Sequence, residues 1–286
     1  MFIFKISFND IWDNIKCLTL FQIMILLIIY FSISFFDVFL RKYLLWAMSA
    51  RAKLKNLVLI HFASMAAHYS TPVKLGFPLT VFFLKRLDNI PYASGTSLVL
   101  IELFVSTSVC GLIALAGSLY YFGEKNFLLP IIIFVAGIII SYIFISKVSF
   151  WDRFKYIGNL VNNLQNSLKS ISLIHLSAYG FLKTLEQLYS SIFLFVLCLF
   201  LGAHLSFPEA IVTTSSSFFL GSISMVPIGL GVRESSSLLF LQRFHIAMDV
   251  AISAVTLQRL FSTGLGFFIG SLVGAFLGIR EIGSDK

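Results

Sequence analysis

Long apolar blocks alternate with short polar ones along most of this chain. The blocks fall at about 18–40, 92–121, 127–146, 171–204 and 248–278. Each is near or above the roughly 20 apolar residues that carry a helix across a bilayer. Residues 171–204 exceed one straight crossing at about 1.5 Å per residue. Their early part, with Lys183 and Glu186, is expected to reach into the interface or a wet cavity. Two further apolar segments, 57–84 and 209–244, are broken by proline and glycine, in "HYSTPVKLGFP" and "VPIGLGVRE". The pattern predicts an all-α polytopic membrane protein with about five full transmembrane helices. The two broken segments are predicted to be re-entrant helical hairpins.

Composition supports the membrane assignment. Hydrophobic residues make up 58% of the 286 positions and charged residues 12%. A soluble domain carries about twice that share of charge. We read residues 1–286 as a single integral-membrane domain with no soluble domain beside it. The net charge of +8 does not point to nucleic acid, because the basic residues lie in short loops between apolar runs rather than on one face. Cys17, Cys110 and Cys198 form no CxxC pair. His61 and His68 lack a neighbouring Cys or carboxylate, so packing or hydrogen bonding is expected of them. Neither a metal nor a cofactor is expected.

Charge also predicts topology. If both broken segments return to the side they entered from, Arg41–Lys55, Lys85, Arg86, Lys147, Arg153, Lys155, Lys169, Arg280 and Lys286 share one side. Only Lys5, Lys16 and Lys125 fall on the other. Such a bias marks the first side as cytoplasmic. It predicts a multi-pass protein of the cytoplasmic (inner) membrane, with the N-terminus outside and the C-terminus inside.

The broken segments resemble each other. Pro72 and Gly76 are four apart in the first, Pro227 and Gly231 in the second. Each leads into a long span carrying one charge, Glu102 or Arg259, about eleven residues in. The units, about 56–121 and 207–278, start from opposite sides and so predict an inverted repeat with a site where the helices break. A proline followed by glycines ends one half-helix and frees the amides of the next, which attract anions.

Within the membrane segments the acids are Glu102, Glu186 and Glu234, and the bases are Lys74, Lys183, Arg233, Arg243 and Arg259. Asp37 is read as an edge residue and Arg41 as the start of a cytoplasmic basic stretch. A charge at the bilayer centre faces a partner or a cavity. The basic surplus suits an anionic head group, with arginine gripping phosphate oxygens in pairs. Glu102 and Arg259 are expected to pair or to line the cavity jointly. Lys183 and Glu186 are expected to neutralise each other, and Arg243 to snorkel at the rim. Gly266, Gly270, Gly274 and Gly278 make a face for close helix contact, and "TTSSS" (Thr213–Ser217) is expected to pack the second hairpin.

"PIGLGVRESS", followed by a span containing "LQRLFSTGLGFFIG", resembles the transmembrane region of lysylphosphatidylglycerol synthase, the flippase part of the multiple peptide resistance factor. "HYSTPVKLG" is similar to that family's Pro–basic–Gly element, and "LVLIELF" to the stretch bearing its buried glutamate. The resemblance spans nearly the whole chain and departs at Ile228, Phe77 and Leu103, which implies a less polar cavity. The soluble aminoacyl-transferase part of the full synthase has no counterpart in this sequence, so the resemblance implies lipid translocation and not an enzyme.

The leading reading is translocation of an anionic or zwitterionic lipid, or a lipid-linked head group, through a polar cavity between the hairpins. The substrate-binding residues expected are Arg233, Glu234, Arg259, Glu102, Lys74, Pro227, Gly229, Gly231, Pro72 and Gly76. The expected partners are a membrane lipid, a separate lipid-modifying enzyme and a second copy of the chain. The alternatives are a secondary transporter of a small anion and a membrane transferase acting on a lipid carrier. Because no GxxxxGK[ST] loop is present, active transport would draw on an ion gradient or a partner.

Overall fold

The computed structural model of the protein describes residues 16, 18–70, 75–123, 134–137, 171–224, 226 and 229–284. Pro72, Lys74, Pro227, Ile228, most of the 127–146 span and the polar stretch after it lie outside the described residues. Every regular element among the described residues is helical. In chain order they are α1 (Leu20–Ala47), α2 (Leu54–Ser70), α3 (Gly76–Asp88), α4 (Tyr92–Phe122), α5 (Leu173–Phe200), α6 (Phe207–Ile223), α7 (Val232–Arg243), α8 (Met248–Arg259) and α9 (Gly266–Ser284). A six-residue π-helical segment, Leu260–Leu265, joins α8 to α9 without a break.

Among the described residues, four helices are long and apolar enough to cross a membrane: α1, α4, α5 and the continuous Met248–Gly278. Local sequence sets where several helices begin. Thr19 accepts from the Gln22 amide while the Gln22 side chain caps Thr19, and Ser206 and Glu209 form the same capping box at α6. Asn89 closes α3 in the left-handed region, φ 55°. One boundary differs from the sequence reading. α1 does not stop at Leu40 but continues through Arg41 and Lys42 to Ala47, because the apolar run Tyr43–Ala47 packs Leu44 and Leu45 into a buried core.

The shorter helices pair. α2 and α3 form one pair, α6 and α7 the other, and each returns to the end of the molecule it started from. At the open end of the first pair, the Asn56 side chain bonds the Leu87 carbonyl at 3.3 Å and Asp88 at 2.8 Å. At the open end of the second, Phe207 meets Phe195 near the close of α5, and Phe244 meets Tyr121 and Phe122 at the close of α4. These helices have 12 to 17 residues, so each is about 18–26 Å long, short of a roughly 30 Å hydrocarbon core.

Glycines fix how the long helices meet these pairs, and they do so reciprocally. In α4, Gly111 and Gly117 abut Phe219 and Val212 of α6. In the last span, Gly266 and Gly270 abut α2, where a Cβ at Gly270 would overlap the Phe62 carbonyl oxygen. Gly274 and Gly278 have nothing within 4 Å of a built Cβ, so only half of the four-residue glycine spacing serves these contacts. Gly270→Leu is therefore expected to force α9 off α2 and destabilise the protein by about 1–3 kcal/mol or more. Gly274→Leu should leave the melting temperature in detergent unchanged. Equal melting curves for the two variants would refute this packing account.

Two apolar cores form, one toward each end. The first gathers Leu26 and Tyr30 of α1, Phe193–Cys198 of α5 and residues of α6–α8. The second gathers Val38–Ala47 of α1, Tyr179 of α5 and residues of α2–α4. Along both α1 and α5 the stretch between the cores is polar: Ser34 and Asp37 on one, Lys183, Glu186 and Gln187 on the other.

Candidate functional site

That polar stretch opens onto a cavity of about 410 Å³. Every helix from α1 to α8 and the π segment contribute to its wall. Small-molecule sites begin near about 300 Å³.

Charged groups in it fall into three sets. In the first, Arg41 grips Glu102 through two parallel bonds, Nε to Oε1 at 2.9 Å and Nη2 to Oε2 at 3.1 Å. In the second, Lys183 reaches Asp37 at 2.9 Å and Glu186 at 3.1 Å, and His61 Nδ1 lies 3.5 Å from the other oxygen of Asp37. In the third, Arg259 Nε bonds Glu234 Oε1. Among the described residues Arg41 Nη1, His61 Nε2, Glu234 Oε2 and Arg259 Nη2 are buried with no protein hydrogen-bond partner.

Arg233 stands apart. It has no carboxylate within ion-pair distance among the described residues, and its guanidinium lies 5.0 Å from the centre of the Phe218 ring. Its stem explains two glycines. A Cβ at Gly221 would overlap the Arg233 side chain, and one at Gly229 would come within 2.8 Å of it. Gly229 and Gly231 also adopt φ of +66° and +78°, where only glycine is unstrained. The turn therefore does two things: it reverses the chain between α6 and α7, and it cuts a notch that aims Arg233 into the cavity.

Glu102, Arg259, Arg233 and Glu234 all line the cavity. Glu102 and Arg259 do not pair with each other; each takes a different partner, Arg41 and Glu234. Gly76 sits at the start of α3, where a Cβ would come 2.5 Å from the Ser64 carbonyl oxygen. It lets the first pair close tightly. Lys74, Pro72 and Pro227 lie outside the described residues.

Among the cavity residues that the sequence reading does not place there are Asp37, Arg41 and His61. The sequence reading puts Asp37 at an edge and Arg41 in a cytoplasmic stretch because it ends the first span at Leu40, whereas the helix runs on to Ala47. The readable cue was the apolar run Tyr43–Ala47 beyond Arg41-Lys42, which puts Asp37 and Arg41 one turn apart on a longer helix. Their presence changes the charge balance. Among the described residues four cations, Arg41, Lys183, Arg233 and Arg259, face four carboxylates, Asp37, Glu102, Glu186 and Glu234, while Lys74, a further cation of the surplus expected from sequence, lies outside them.

Lys183 does bond Glu186 but shares itself with Asp37. Arg243 is exposed at the end of α7. The serine-threonine run is buried: Thr213 and Thr214 bond carbonyls one turn back, and Ser191 and Gln187 of α5 bond Thr214 and Ser215. Phe77 and Leu103, where the family resemblance departs, both lie on the cavity wall. The π segment begins directly after Arg259, and its Ser262 and Thr263 also line the cavity. Such bulges concentrate at functional sites, and nothing in the sequence pattern announced it.

Long apolar helices around a charged interior, with two short helix pairs closing on it, define a multi-pass membrane protein with a polar cavity. Residues 1–270 match the model of the lysylphosphatidylglycerol synthase transmembrane region, and the chain belongs to that family. No curated protein matches the sequence at a significant level.

Proposed function

We propose that the protein moves an anionic or zwitterionic lipid across the cytoplasmic membrane, the head group passing through the cavity and the acyl chains staying in the surrounding bilayer. The observation that carries this reading is Arg233, a cation without a carboxylate partner among the described residues, aimed into a cavity of about 410 Å³. A guanidinium so placed can bind a phosphodiester through two oxygens at once. Apolar side chains such as Phe21, Ile28, Phe268 and Phe276 cover the exterior, which suits lipid contact around the whole protein.

In this reading the α2–α3 and α6–α7 pairs are re-entrant hairpins from opposite faces of the membrane. Their lengths fit partial crossings, and the reciprocal glycine contacts fit an inverted repeat of units 56–121 and 207–278. The N-terminus lies outside and the C-terminus inside. Moving Arg41 from the cytoplasmic loop into the cavity leaves the sign of the loop-charge bias unchanged. A cysteine replacing exposed His204 should react with an impermeant maleimide added to intact cells, and one replacing exposed Ser49 should react only after permeabilisation. The reverse pattern would overturn this topology.

Reconstitution into vesicles with head-group-labelled phospholipid tests the function itself. Loss of label protection from the inner leaflet at a rate well above protein-free vesicles is expected. Transport of a small anion without lipid movement would replace this reading with that of a secondary anion transporter.

A further inference from the structure

The α1–α5 charge cluster holds one carboxylate too many. Asp37, Glu102 and Glu186 face two fixed cations, Arg41 and Lys183, among the described residues. Arg41 is committed to Glu102 by two bonds, so Asp37 and Glu186 are left to divide Lys183. His61 stands at the edge of the same group, 3.5 Å from Asp37, with its Nε2 unpartnered. The third charge set has the opposite imbalance. Among the described residues, Arg233 and Arg259 face only the carboxylate of Glu234.

The other groups around Glu186 do not correct the excess. Its own helix adds Tyr179 and Lys183, α1 brings Asp37 and Arg41, α2 brings His61, and α4 brings Glu102 and Cys110. α6 offers only hydroxyls, Thr214 and Ser217, and Arg259 of α8 is bonded to Glu234. Among these groups His61 and the two carboxylates sharing Lys183 are the proton acceptors whose loading costs no fixed cation. Like-charge carboxylates around one site favour holding a proton between them.

We propose that the Asp37–His61–Lys183–Glu186 cluster takes up and releases one proton, so that an anionic head group and a proton cross the membrane together. This rests on the translocase reading. The proton comes from water at one face onto a carboxylate oxygen or His61 Nε2, and returns to water at the other; no covalent bond changes. An empty cavity carries one negative excess at this cluster and one positive excess at Arg233. An anionic head group alone would leave the interior with a net negative charge, and a proton alone with a net positive one. Counted over the described residues, only the empty and the doubly occupied states are neutral, and net charge inside a membrane is strongly unfavourable. By linkage, each ligand then tightens the other.

The test uses the full chain in phosphatidylcholine vesicles containing head-group-labelled phosphatidylglycerol, with the membrane potential clamped to zero. Movement from the acidic to the alkaline leaflet should be about tenfold faster than the reverse. Glu186→Gln and Asp37→Asn should each remove that asymmetry, whatever rate remains. Equal rates in both gradient directions for the wild type would overturn proton coupling and leave the translocase intact. No lipid movement under any gradient would overturn the translocase reading and the coupling together.

Infrared titration of the detergent-solubilised wild type checks the cluster even where a variant fails to fold. A protonated-carboxyl band or the protonated-imidazole band of His61 should grow as the pH falls and strengthen on adding short-chain phosphatidylglycerol. Absence of both bands, or of their response to the lipid, overturns the proposal.

Discussion

Arg233→Met lowers lipid translocation by about tenfold or more and leaves the fold intact. Methionine keeps most of the unbranched stem that fills the notch between Gly221 and Gly229, so packing survives while the charge goes. A hydrogen bond to a charged group contributes about 1.5–3 kcal/mol, and each 1.4 kcal/mol is a factor of ten. Arg233→Lys should recover only part of the rate, because an ammonium supplies the charge without the planar fork. The contact with Phe218 adds about 0.5–2 kcal/mol, so a small drop in melting temperature accompanies either change. Translocation and melting are measured on the same preparation. A stable Arg233→Met protein that moves lipid at the wild-type rate would remove Arg233 from the head-group site.

Glu102→Gln destabilises the protein, and its cause is Arg41. Loss of the carboxylate leaves a guanidinium, already carrying one unpartnered buried nitrogen, without its counter-charge. Breaking a buried pair from one side costs about 3–5 kcal/mol. The Glu102 side chain is 18% exposed toward the cavity, which places the expected loss toward the lower end of that range. Replacing both partners, Arg41→Met with Glu102→Met, should restore most of the stability, since a pair exchanged for apolar groups is often neutral. Translocation should stay impaired if the pair also shapes the polar path. Because Glu102 and Arg259 share no partner, Glu102→Gln and Arg259→Gln should be additive in melting within about 0.5 kcal/mol. A coupling well above that would mean that the two side chains do meet.

Both variants rest on features that were only half visible in the chain. Period and length marked the apolar helices, since a bilayer demands unbroken apolar runs and the demand is local. Pro72, Gly76, Pro227, Gly229 and Gly231 marked where helices break, because backbone freedom is also a local property. Glu102, Arg233, Glu234 and Arg259 could be singled out because a charge inside an apolar run needs a partner or a cavity whatever the fold.

Partnership was not local. Glu102 lies 61 positions from Arg41 and Lys183 lies 146 from Asp37, and no sequence spacing encodes such pairs. The choice depends on which faces of α1, α4 and α5 turn inward once Leu44, Leu45, Leu98 and Tyr179 are buried together. Asp37 and Arg41 became cavity residues only because tertiary burial of Tyr43–Ala47 extends α1 past two basic residues that read as a loop. The same holds for the glycines. Chain pattern showed that Gly229 permits a turn, but that it and Gly221 make room for one arginine stem follows from how α6 and α7 close on each other. Local rules thus fixed the helices, the breaks and the candidate charges. Packing between distant helices fixed which charges neutralise one another and which, like Arg233, face the cavity with no carboxylate partner among the described residues.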